Sequence, residues 1–156
     1  MMILVFIGAF LFGLIIGIII IWRFMEKVVF SIEKISEKHA ALFRLMNNWV
    51  INYQNKNALS NNLRKMDINT VAIYGLGSVG ETLYNELDSS EIEVKYGIDQ
   101  SVEFFGRLPV YKKEDHLPQV DLIIVTAITS YKDIEMELIK KIDCQIMSVE
   151  EVILMS

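Results

Sequence analysis

Apolar residues follow three different rhythms along this chain, and each rhythm predicts a different kind of element. From Met1 to Trp22 no side chain is charged. As a helix rising about 1.5 Å per residue, that run is roughly 33 Å long and matches a hydrocarbon core of about 30 Å. From Val28 the apolar positions Val28, Ile32, Ile35, His39, Leu42, Met46, Trp49 and Tyr53 step alternately by 4 and 3, a heptad seam with His39 as its polar member. A wider stripe through Leu42, Phe43, Leu45, Met46, Trp49 and Val50 offers the alternative of packing on the domain that follows. The polar run at 54–57 ends the pattern, and Ala58 to Lys65 reads as a short helix.

Beyond residue 66 short apolar runs alternate with segments of helical period. Val71 to Tyr74 is a strand, Glu81 to Asp88 a helix, Ile92 to Ile98 a second strand, and Pro109 to Tyr111 a short third one. Asp121 to Ile128 is a continuous apolar run suited to a strand buried on both faces, and Asp133 to Ile142 is a helix. Cys144 to Val149 is the last strand, followed by a helical turn whose Ser148 and Glu151 have capping-box spacing. Strands and helices in alternation predict an α/β fold, a small doubly wound, Rossmann-like parallel sheet carried on an N-terminal transmembrane helix and a helical connector. The division expected is 1–23 for the membrane helix, 24–66 for a connector that can form a coiled coil, and 67–156 for a nucleotide-binding domain.

Composition agrees with this division. The chain has 156 residues, of which 53% are apolar and 22% charged, with a mean hydropathy of +0.36. Setting the apolar run aside leaves the length of one compact domain plus a connector, which excludes separate cofactor and substrate domains. Residues 23–66 carry eight basic against three acidic side chains, a balance of +5, whereas 67–156 carry seven basic against seventeen acidic, a balance of −10. An acidic head is a poor binder of phosphate backbones, so nucleic acid is not an expected partner. The basic residues after the apolar run fit the positive-inside rule instead, which places a single-pass protein in the cell membrane with its C-terminal domain cytoplasmic and Trp22 and Arg23 at the interface. A cleavable signal peptide fits less well, because no basic residue precedes the run and no small-x-small site follows it. Ala9, Gly13 and Gly17 recur at four-residue spacing, the pattern that lets two helices approach in lipid. Together with the seam it predicts a homo-oligomer joined through residues 9–53.

Candidate chemistry is concentrated where the first strand ends. Gly75-Leu76-Gly77-Ser78-Val79-Gly80 stands between a strand and a helix, the context a G-x-G-x-x-G loop requires. Gly75 supplies the tight turn, Gly77 admits a pyrophosphate to the backbone, and Gly80 lets helix and strand lie close. The amides around Ser78 and Val79 then face the phosphates at a helix amino terminus. Asp99 ends the second strand, where a carboxylate accepts hydrogen bonds from a ribose diol and repels a 2'-phosphate. Thr126, Ala127 and Thr129 leave the buried strand on the same edge, as candidate ligand contacts or as strand-end residues that touch no ligand. The expected ligand is NAD or another nucleotide.

Catalytic constellations are sparse. None of the six tyrosines has a lysine four residues on, the pair that short-chain dehydrogenases and epimerases use for proton transfer. One cysteine and two histidines cannot make a zinc site. Cys144 reads as a packed strand residue and His116 as a loop residue. No catalytic residue is assigned, and a binding module is expected rather than a self-sufficient enzyme.

The stretch from Leu42 to Val152, with LFRLMNNWV, VAIYGLGSVGETLYNEL, EVKYGID, GRLPVY and LPQVDLIIVTA, resembles small Rossmann-type proteins associated with bacterial capsule and other surface-polysaccharide loci. It is also similar to the amino-terminal nucleotide-sugar-binding domain of sugar acyltransferases, in which a glycine loop, a strand ending in Asp and a Gly-x-x-Pro-Val segment follow in that order. A weaker likeness is to the nucleotide-sensing regulatory domains of potassium transport systems. The resemblance implies binding by Gly75, Gly77, Gly80 and Asp99, NAD or a nucleotide sugar as ligand, and a polysaccharide-assembly protein as partner. The alternatives are an oxidoreductase or sugar-modifying enzyme completed by a partner chain, a transporter regulator, and a scaffold used only for protein contacts.

Overall fold

The computed structural model describes residues 2–56 and 58–155, with side chains from Gly13 onward. The chain divides into two compact units, 1–40 and 41–156. Helix α1 (Met2–Gln54) supplies all of the described part of the first unit and the beginning of the second. In the first unit the side chains from Leu14 to Lys38 stand exposed, with Gly17 the partly covered exception. Ile18, Trp22, Phe24, Phe30, Ile32 and Ile35 are among the large apolar side chains exposed there. The predicted membrane span begins in residues 1–12, whose side chains lie outside the described residues, as does the Ala9 position. Among the described residues no helix is long and apolar enough to cross a membrane.

The second unit is an α/β fold built on a five-stranded, wholly parallel sheet. Its elements follow as α2 (Leu59–Lys65), β1 (Thr70–Tyr74), α3 (Ser78–Asp88), β2 (Glu93–Ile98), β3 (Val110–Tyr111), β4 (Leu122–Val125), α4 (Tyr131–Leu138), β5 (Gln145–Ser148) and α5 (Val149–Leu154). The strand order is β3-β2-β1-β4-β5. After β1 the chain lays two strands on one side, then crosses to lay β4 and β5 on the other.

Strand alternation divides the apolar residues between two faces of the sheet. Val71, Ile73, Leu122 and Ile124 pack on one face with Leu83 and Leu87 of α3, Leu59 and Leu63 of α2, and Val152 and Ile153 of α5. Ala72, Ile98, Ile123 and Val125 pack on the other with Ile134 and Leu138 of α4. All four residues of β4 are buried, as its unbroken apolar run requires of a strand covered on both sides. The end of α1 belongs to the first of these layers. Leu45 and Trp49 are 0% and 7% exposed there, and the Asn52 amide donates to the Ile153 carbonyl on α5. Of the wider stripe, Leu42, Leu45, Met46 and Trp49 pack on the head while Phe43 and Val50 stay exposed, so part of what the sequence places in the connector enters the second unit's core. Burying each such large side chain stabilises the head by about 1.5–3 kcal/mol.

Element ends are set by side chains that bond to backbone. Ser148 caps α5 by accepting from the Glu151 amide while Glu151 reaches back to the Ser148 amide, the capping box its spacing predicts. Strand β4 stops at Val125, three residues short of the apolar run, because the Thr126 hydroxyl turns back and Ile128–Ser130 closes into a 3-10 turn. At the opposite edge Asp121 accepts from the amides of Asn69 and Thr70 and from the Thr70 hydroxyl, fixing the start of β1 beside β4.

Candidate functional site

In an open parallel sheet the crevice for a ligand lies outside the carboxyl ends of the strands, where the strand order reverses. Here that point is between β1 and β4, and the glycine loop leaves β1 directly into it. Gly75 takes φ +91° and donates its amide to the Ile98 carbonyl of β2 at 2.8 Å. A side chain there would be strained, and its Cβ would stand 2.6 Å from the Thr126 hydroxyl oxygen. Gly80, in the first turn of α3, lies so close to the loop that a Cβ would meet the Gly75 carbonyl oxygen at 2.1 Å. Gly77 differs from both. It caps α3 in an extended conformation, offers no side-chain cap, and a Cβ built on it meets nothing within 4 Å. Gly77 supplies no side chain to cap the first amides of α3, which a helix start leaves without an intrahelical partner.

Thr126 clamps the far side of the loop. Its amide donates to the Tyr74 carbonyl at 2.9 Å, and its hydroxyl lies 2.7 Å from the Gly75 carbonyl oxygen and 3.0 Å from that of Tyr74. The residue is 8% exposed, so the hydroxyl serves the loop. Ala127, half-buried, follows it at the loop's edge, and Thr129 is exposed on the 3-10 turn. Ser78 is exposed at the start of α3, whereas Val79 turns its side chain toward the core and presents only backbone to the crevice.

Asp99 follows β2 and reaches the loop from the other side. Oδ2 accepts from the Leu76 amide at 2.8 Å, while Oδ1 accepts from the amides of Ser101 at 2.8 Å and Val102 at 3.0 Å. Partial burial pushes this carboxyl up, but the three amides and the nearby Lys112 ammonium outweigh it and hold the group below the usual carboxylate range. Lys112 donates to the carbonyls of Gln100 at 3.0 Å and Val102 at 3.3 Å, standing over the same turn. Leu76 is 4% exposed and seats its side chain against Gly97.

The structure thus gathers Gly75, Asp99, Thr126 and Ala127 around one loop and leaves Gly77 and Ser78 open beside it. Sequence reasoning missed Leu76 and Lys112. Leu76 occupies the variable position of the glycine pair, so no motif singles it out. Lys112 is legible only as a basic residue following β3.

Chemistry beyond binding finds few groups. Burial pushes the Cys144 thiol up, away from the thiolate form, and His116 is exposed. Among the described residues no three His, Cys, Asp or Glu side chains are placed to hold a metal. A separate open groove of about 930 Å³ lies along α3 and the end of α1, lined by Met46, Trp49, Val50, Tyr53, Thr82 and Asn85 among others. In its wall Glu86 accepts from the Trp49 indole N–H and from the Leu59 amide. Uncapped helix amides and glycine access belong to the loop, so the loop, not this groove, is the candidate for a charged ligand. Comparison with protein families, with curated proteins and with solved structures returns no match.

Proposed function

We propose that this chain is a single-pass membrane protein whose Rossmann-like cytoplasmic head binds NAD or a nucleotide sugar, acting as an accessory or sensor in surface-polysaccharide biosynthesis. The observation that carries the binding step is the contrast among the three loop glycines. Gly75 and Gly80 are accounted for by backbone conformation and close packing, whereas Gly77 has open space where a side chain would stand. A phosphate approaching the first amides of α3 fills that space and meets the positive end of the helix. The charge-free run to Trp22 followed by basic residues supports the anchor. The exposed apolar seam of the first unit supports self-association.

Titration of the full chain in detergent with NAD, NADP and UDP-sugars tests the reading. Gly77→Val is expected to keep the wild-type melting temperature within a few degrees and to lose binding. Gly80→Ala is expected to destabilise the head by about 2 kcal/mol or more, because its Cβ meets backbone rather than a side chain that can yield. A wild type that binds none of these nucleotides at millimolar concentration overturns the proposal and leaves the loop a packing device. So does a Gly77→Val variant that binds as wild type does.

A further inference from the structure

The geometry points to Asp99 as a positioning residue that holds the glycine loop in the conformation seen here, rather than as the group that reads a ribose. Three observations converge on this role. Its two carboxylate oxygens already accept from three backbone amides, at 2.8 to 3.0 Å. One of those amides is that of Leu76, the residue between Gly75 and Gly77, so the bond runs from the end of β2 directly into the loop. The Leu76 side chain is itself seated on Gly97 of β2, and the Gly75 amide donates to Ile98. Three successive contacts thus tie the loop to the last residues of one strand, and Asp99 supplies the only charged one among them.

The consequence concerns ligand class. Three of the roughly four acceptor sites of this carboxylate are taken by backbone amides, so a ribose diol that seeks it with both hydroxyls must displace one of them and leave that amide unsatisfied. The Lys112 ammonium above the same turn also offsets the negative charge that would repel a 2'-phosphate. The head therefore selects its ligand by the diphosphate at the loop and discriminates weakly between NAD and NADP. This ligand statement rests on the nucleotide reading above, whereas the positioning role does not.

Asp99→Ala separates the possibilities, because it removes both carboxylate oxygens and leaves the Leu76 N–H without its acceptor. Hydrogen exchange at the Leu76 amide is measured in the full chain in detergent, with the β1 amides as internal reference. Wild type is expected to protect Leu76 despite its place in a loop. The variant is expected to lose that protection by roughly ten- to a hundredfold, as for a lost bond to a charged group, while the reference is unchanged. An unprotected Leu76 in wild type overturns the role, and this reading stands even if the variant fails to fold. An unchanged Leu76 in a folded variant overturns it equally. In the binding arm NAD, NADP and UDP are expected to weaken by a common factor. Selective loss of NAD with a gain for NADP assigns Asp99 to the ribose and overturns the proposal. If wild type binds none of the three, the nucleotide reading fails and Leu76 exchange alone decides the role of Asp99.

Discussion

Two aspartates at opposite edges of the sheet do the same kind of work and respond to acid alike. Asp121 accepts from the Asn69 and Thr70 amides and the Thr70 hydroxyl, and these bonds hold its carboxyl below the usual range. Asp99 is held low by three amides and Lys112 against the opposing effect of partial burial. A carboxyl depressed in the folded state adds stability that is fully present above its unfolded value, about 3.9. That stability is lost as pH falls through the lower folded value. The melting temperature of the full chain is therefore expected to vary little through these groups from neutrality to about pH 4 and to fall below it. Asp121→Asn is expected to lower the plateau and flatten the acid limb. An acid limb of unchanged slope would show that the strand-start bonds contribute nothing to folding. Neither role was visible from composition, because a carboxylate that binds backbone has the same sequence signature as one that binds a ligand or faces water.

At the scale of elements, the periodic signals found the strands and helices, while side-chain bonds to backbone decided where they end. The short apolar run from Val71 to Tyr74 and the unbroken run of β4 were legible because a continuous apolar run reports burial on both faces. The last three residues of the run that starts at Asp121 were not, since only the fold places Thr126 beside the Gly75 carbonyl. Likewise α4 starts at Tyr131 and ends at Leu138, earlier at both ends than the stretch from Asp133 to Ile142 predicts. The end of α1 carries the most practical case. A seam and a core-packing stripe share Leu42, Met46 and Trp49, and hydrophobicity alone does not say which surface receives them; the head takes Leu45 and Trp49. A fragment beginning at residue 41 is therefore expected to melt cooperatively. One beginning at residue 67 lacks Leu45, Trp49, Leu59 and Leu63 and is expected to be unfolded or molten, since deleting even one such buried side chain to Ala costs about 2–5 kcal/mol. Circular dichroism of the two fragments checks this, and equal cooperativity would show that the end of α1 is dispensable to the head.

For the whole molecule the proposal puts residues 1–23 of the first unit in lipid and the rest of the chain in water. Alkaline carbonate is expected to leave the full chain in the membrane pellet and to release the fragment that begins at residue 41. Chemical crosslinking of the full chain in membranes is expected to give a dimer band that weakens when Gly13 and Gly17 are replaced by Ile, or Ile32 and Ile35 by Asp. Recovery of the full chain in the soluble fraction would remove the anchor, and an undiminished band would remove the seam.

The placing of the two tryptophans makes the unlabelled protein its own optical probe. Trp22 stands exposed on the first unit, whereas Trp49 is closed in the second with its indole N–H held by the Glu86 carboxylate. On the proposed membrane anchoring, their emission is expected to report separate compartments. Brominated lipid is expected to quench Trp22 and spare Trp49, and in a Trp22→Phe protein the remaining blue-shifted emission belongs to Trp49 alone. Glu86 lies on α3, the same helix whose first turn opens at Gly77. On the proposed reading a ligand at the loop is expected to change the field of the carboxylate touching the indole, and a shift of Trp49 emission on nucleotide titration checks it.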